Sequence, residues 1–175
     1  MNSCKIVAII LLTGSINLAF IQNTLAQSLL ANPLEVEIDK SDPVIPFGYQ
    51  RRKLSTFEIN RIKREMVKLD RTAKAELQEG RGDNAFKLWY RQLKLARAVD
   101  VETEIEALGK VGEIAWLNNR GQDLRNIANR AIAIESELKS ELSYDLLTTF
   151  ATAYQQFRYL PQALSIWERI VADSR

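Results

Sequence analysis

The chain of 175 residues contains no histidine and a single cysteine, Cys4. It therefore lacks Ser-His and Cys-His nucleophile pairs, the usual zinc ligands and the commonest general base. No intramolecular disulfide can form, so an exported domain of this chain must rest on its apolar core, which calls for a regular, well-packed architecture. Seven glycines occur without a Gly-rich phosphate loop. Charge of one sign is also missing: Lys plus Arg against Asp plus Glu is 24 to 22, a balance that does not point to nucleic acid as a partner. The composition predicts neither an enzyme nor a bound cofactor or metal.

What is present begins with a secretory signature. Lys5 is followed by the unbroken apolar residues 6–12, and apolar character resumes after Thr13-Gly14-Ser15 through Phe20 and Ile21. No further charge occurs before Glu35, and Thr24 and Ala26 place small residues three and one before Gln27. Residues 1–26 read as a signal peptide. The rival reading is an uncleaved membrane anchor, because the apolar run approaches the roughly 20 residues that span a bilayer. Both keep Lys5 inside and export the remainder. Cys4 precedes the apolar run, the wrong place for lipid attachment.

Residues 27–53 hold Pro33, Pro43 and Pro46 and no sustained apolar period, the pattern of an extended linker that either spaces the domain from a membrane or lies along its first helices. From residue 54 the pattern becomes helical. Ser55-Thr56-Phe57-Glu58 forms a capping box, with Leu54 and Ile59 as its staple. Ile59, Ile62, Met66, Leu69, Ala73 and Leu77 then recur at helical spacing to about Gln78. Asp83 is the expected N-cap of a second helix. A third fits 101–117, a fourth 123–135, a fifth 138–157, and a sixth opens at Pro161.

Sliding the chain against itself by 39 residues aligns Leu69, Leu108 and Leu147; Ala73, Gly112 and Ala151; and Leu88, Ile127 and Ile166. Leu93, Ile132 and Val171 form another aliphatic column, Ala85, Leu124 and Ala163 are apolar throughout, and Trp89, Ala128 and Trp167 set large rings in the outer copies. Three copies of a helix pair with small residues at contacts mark a repeat domain over 54–175.

The last copy, with Leu147, Ala151, Tyr154, Pro161, Ala163 and Trp167, resembles a tetratricopeptide repeat. The first adds Ala73, Gly80, Ala85 and Trp89, while the middle copy has Ala115 and Ala128 in place of the rings, and the period is 39 where the family has 34. The signal, the linker and the run Ala85-Phe86-Lys87-Leu88-Trp89-Tyr90-Arg91 are similar to exported cyanobacterial members, among which are assembly factors for photosynthetic complexes. The resemblance implies an all-α, right-handed solenoid of about three antiparallel helix pairs in the periplasm or thylakoid lumen. It further implies a concave groove gripping an extended segment or helix of another protein, with Asp70, Lys74, Glu113, Thr148, Thr152 and Gln155 facing it.

Two charge features remain. Residues 51–74 carry nine Lys or Arg against three Asp or Glu, and residues 100–145 five against ten. The basic end is read as a solvated face, with weak contact to acidic lipid heads as the alternative. Glu102, Glu104 and Glu106 read as a helix N-terminus favoured by negative charge. Arg81-Gly82-Asp83 reads as a turn and cap. An uncovered last helix would allow the chain to pair with a second copy.

Overall fold

The computed structural model describes residues 32–36, 41–138 and 142–173. The signal expected at 1–26 and its cleavage site lie outside the described residues. The compact unit runs from Pro33 onward. Among its described residues are six α-helices and no strand: α1 (Thr56–Gln78), α2 (Gly82–Val99), α3 (Val101–Leu117), α4 (Gly121–Leu138), α5 (Tyr144–Gln156) and α6 (Leu160–Asp173). A 3-10 turn spans Tyr49–Arg51.

The capping box forms as the pattern requires. The Ser55 N–H donates to Glu58 Oε2 at 2.8 Å, and the Glu58 N–H donates to Ser55 Oγ at 3.3 Å. Arg52 clamps the same carboxylate at 2.5 and 2.8 Å. That guanidinium first, then the Ser55 N–H, pulls the Glu58 carboxyl down to about 2. The start of α1 is thus defined by its own neighbours, and Ile62, Met66, Leu69 and Ala73 form its buried stripe.

The 39-residue period is present in the backbone. Helices α1, α3 and α5 end at Gln78, Leu117 and Gln156, and α2, α4 and α6 begin at Gly82, Gly121 and Leu160. Between them Gly80, Asn119 and Arg158 each take a left-handed conformation, with φ of 77°, 55° and 66°. The N–H of the next residue reaches back to the helix in all three joints: Arg81 to Glu76, Arg120 to Ala115 and Tyr159 to Tyr154, at 2.8–2.9 Å. This is the Schellman closure, which satisfies the last carbonyls of a helix. Only the first joint uses glycine. We expect Arg158→Gly to stabilise the domain and Gly80→Ala to destabilise it, each by about 1 kcal/mol. Thermal unfolding of both variants checks the opposite signs; equal signs would refute the strain argument.

Most aligned columns are core. Leu69, Leu108, Leu147, Ala73, Ala151, Ile127 and Ile166 are buried, and Leu88 is half-buried. The column of Leu93, Ile132 and Val171 is not: Leu93 is fully buried, whereas Ile132 and Val171 are 39 % and 52 % exposed. Helix α2 packs against both α1 and α3, while α6 packs chiefly against α5, so the same register position is covered in one pair and open in another.

Two further expectations need correction, and one open alternative is decided. Asp83 is not the N-cap, because the Schellman closure starts α2 at Gly82, with Arg81 as the cap and no capping side chain; Asp83 instead accepts from Arg120 Nη2 at 2.7 Å. The fifth helix does not start at 138. Leu138 ends α4, and α5 opens at Tyr144 behind the Ser143 cap, whose hydroxyl accepts from the Leu146 N–H. Finally, the described part of 27–53 is not a free spacer. Leu34, Val44 and Ile45 are buried in the core. Arg91 of α2 holds Asp42 at 2.8 Å, Arg61 of α1 donates to the Pro43 carbonyl, and Arg97 donates to the Leu34 carbonyl at 2.6 Å. This arm is stapled onto α1 and α2 by buried apolar residues and guanidinium bonds together.

Candidate functional site

Helices α1, α3 and α5 line two adjoining hollows. The first, of about 590 Å³, lies between α1 and α3 and is bordered by Asp70, Lys74 and Glu113, over a floor that includes Met66, Val111 and Ile114. The second, of about 340 Å³, lies between α3 and α5 and is bordered by Thr148, Thr152 and Gln156. Glu106 and Lys110 border both, so the two hollows adjoin along α3 and together make an interrupted trough.

The repeat register explains why the trough is wide at one end. In α3, Gly109 and Gly112 let α5 approach closely: a Cβ on Gly109 would stand 3.1 Å from Ala153 Cα, and one on Gly112 would stand 2.7 Å from Phe157 Cβ. One period earlier, Asp70 takes the place of Gly109 and Ile114 that of Ala153. Both line the wider hollow. At that register α1 and α3 carry larger side chains and no glycine, and the space between them is the wide hollow.

Five of the six residues expected in the groove border it. Asp70, Lys74 and Glu113 share the wide hollow, and Thr148 and Thr152 the narrow one. Gln155 is exposed and borders neither; the ridge Thr148, Thr152 continues to Gln156 at the next spacing of four. The six do not play one role. Asp70 accepts from the indole N–H of the fully buried Trp89 at 3.2 Å and from Lys74 Nζ at 2.7 Å, so it anchors a core ring. The Thr148 and Thr152 hydroxyls are turned back onto the carbonyls of Tyr144 and Thr148. Glu113 is exposed with no partner among the described residues. The floor adds a polar atom that periodicity could not locate: Gln92 Oε1 is buried without a hydrogen bond.

Sequence reasoning also missed Glu104. It is 2 % exposed and accepts from Arg97 of α2 at 2.9 Å and from Arg130 of α4 at 2.8 and 3.2 Å. Alternation of three glutamates hides this, because only the fold brings two guanidinium groups to one of them. Two buried phenols act similarly. Tyr90 donates to Asp123 at 2.5 Å and accepts from Asn126 at 3.1 Å, while Tyr154 donates to Glu135 at 2.9 Å. Burial first, and then the carboxylate, pushes both phenols well above their usual range, so they remain donors.

Chemically, the trough offers an apolar floor, a buried carbonyl oxygen, and ammonium and carboxylate groups along its rims. That suits a peptide segment, which carries apolar side chains and backbone polar groups together. No cluster of acidic residues among the described ones is suited to a metal ion, and no described helix is long and apolar enough to cross a membrane. The fold and site define the class: an all-helical protein of three helix pairs at one spacing, grooved along its odd-numbered helices. Neither a protein-family model, nor a curated protein, nor a solved structure matches the chain.

Proposed function

We propose that this protein is an exported, tetratricopeptide-like scaffold, without enzymatic activity, that holds an extended segment or helix of a partner protein in the trough along α1, α3 and α5. The observation that carries this reading is the pair of hollows that adjoin along α3, with Glu106 and Lys110 bordering both. The compartment is the periplasm or thylakoid lumen, and the partner a component of a membrane or photosynthetic complex under assembly. Both follow from the signal-like N-terminus and the family resemblance. Exchanging rim charges in a Lys110→Glu, Glu113→Lys variant leaves the core untouched, because both side chains are exposed. A partner pulled down from the native compartment by the parent is expected to be lost, about tenfold or more in affinity for two groove charges. Retention of the partner by the folded variant would place its site elsewhere.

A second reading has its own observation. Leu160, Leu164 and Val171 are 55 %, 59 % and 52 % exposed on α6 and, with half-buried Trp167, form one apolar stripe at spacings of four, three and four. Such a stripe suits association with a second copy. Light scattering on the parent and on Trp167→Asp separates the readings: a concentration-dependent dimer abolished by the substitution would favour self-assembly over the scaffold.

A further inference from the structure

Helix α1 has three faces. Ile62, Met66, Leu69 and Ala73 are buried; Lys63, Val67, Asp70 and Lys74 line the groove. The third face holds Phe57, Arg61, Arg64, Lys68 and Arg71, at successive spacings of four, three, four and three, all exposed. No acidic residue shares that spacing. The four cations extend along about 15 Å of helix. Phe57, at the N-terminal end of the stripe, is 72 % exposed.

The arm adds a second aromatic ring. Arg61 ties the arm to this face through the Pro43 carbonyl, and four residues further on Phe47 stands fully exposed, between Pro46 and the left-handed Gly48. Arg51 and Lys53 follow, both exposed. Residues 51–74 carry six more positive than negative charges, whereas the whole chain carries a net +2. The positive charge is thus concentrated on one end and balanced by an acidic remainder.

We propose that the outer face of α1, with Phe47 and Phe57, is a docking surface for an anionic lipid bilayer. Charge complementarity selects the partner: a row of cations meets lipid phosphates, each side chain adding to attraction that salt screens. The two exposed phenyl rings, which have no hydrogen-bonding atoms, suit the boundary between headgroups and acyl chains. A single strand whose bases stack on the rings is the rival that the test separates. None of the stripe's residues lines the groove, so the domain can lie on a membrane while the trough stays open to a protein.

The test is co-sedimentation of the compact unit, residues 33–175, which encloses its own core, with phosphatidylcholine vesicles and with vesicles of phosphatidylcholine and phosphatidylglycerol in equal parts. Binding is expected to the anionic vesicles alone and to fall with salt. Arg64→Glu with Arg71→Glu, which breaks no hydrogen bond shown for the folded chain, should lower partitioning at least about tenfold. A charge-matched control on other helices, Lys87→Glu with Arg125→Glu, should leave it nearly unchanged. Phe47→Ser should weaken binding several-fold, and a Phe47→Trp fluorophore should shift to the blue on anionic vesicles. Equal binding to both vesicle types, or equal loss in the control, overturns the proposal. So does binding to a single-stranded oligonucleotide, but not to vesicles, that Arg64→Glu with Arg71→Glu abolishes.

Discussion

Replacing Glu104 with alanine should destabilise the domain by about 3 kcal/mol, an effect large against the total stability of a domain of this size. The carboxylate is the common acceptor of Arg97 and Arg130, whose side chains are only 25 % and 15 % exposed. Removing it leaves two partly buried guanidinium groups, Arg97 of α2 without a counter-charge and Arg130 of α4 with only the exposed Glu137 at 3.6 Å. Breaking such a pair costs more than the pair ever contributed, because desolvation of the remaining charge is then uncompensated. Arg97 also holds the arm through the Leu34 carbonyl at 2.6 Å, so the loss should spread from the helices to the arm. Denaturant unfolding of Glu104→Ala, Arg130→Ala and the double variant gives the coupling directly. A coupling below about 0.5 kcal/mol would mean that Glu104 and Arg130 are independent.

Gly112→Ala is expected to cost a comparable amount, about 3 kcal/mol, at the upper end of what overpacking by one methyl does. The added carbon would lie 2.7 Å from both Cβ and Cδ1 of Phe157. Phe157 cannot swing aside: it is fully buried, and its ring stands edge-on to Tyr154 and Tyr159 at 5.4 and 5.5 Å. Helix α5 must therefore move away from α3. Gly109→Ala should cost less, since its nearest obstacle is the end of the flexible Gln156 side chain. Combining Gly112→Ala with Phe157→Ala should recover part of the clash and appear as a favourable coupling in thermal unfolding; strictly additive losses would show that the two positions do not meet. If the helices do separate, the narrow hollow lined by Thr152 and Lys110 widens, which links this packing to the groove.

Much of the helical framework was legible in the order of residues. The pattern over 101–117 locates α3 at its observed bounds, and Ser55 with Glu58 locates α1, because caps and amphipathic stripes are interactions within a few residues. Asp83 misled for a related reason. It has the chemistry of a cap, yet the backbone closure at Gly80 and Arg81 already starts the helix before it. The groove was legible in part. Lys74, Glu113 and Thr152, which the family resemblance implies once carried onto the repeat register, border the hollows, while Gln155 lies one residue from the lining Gln156, since a choice between neighbours on a helix depends on which ridge the next helix leaves open.

Glu104 was not legible. The glutamate belongs to an alternating acidic run whose local meaning is a favourable helix start, and its partners come from α2 and α4. For the arm, prolines without a period left a spacer and a strap along the first helices equally open; Leu34, Val44 and Ile45 in the core, with Arg61, Arg91 and Arg97, decide for the strap.

By itself, the order of residues determined that the helices recur every 39 residues and where α1 and α3 run, because caps and apolar periods act over one or two helical turns; the starts of α2 and α5 it misplaced. The distance between neighbouring helices was decided only in the tertiary structure. Asp70 and Ile114 border the hollow between α1 and α3, whereas Gly109 lets α5 approach α3 at Ala153. The same register therefore yields an open hollow at one end and a close contact at the other, because what faces each position is settled only when the chain is folded.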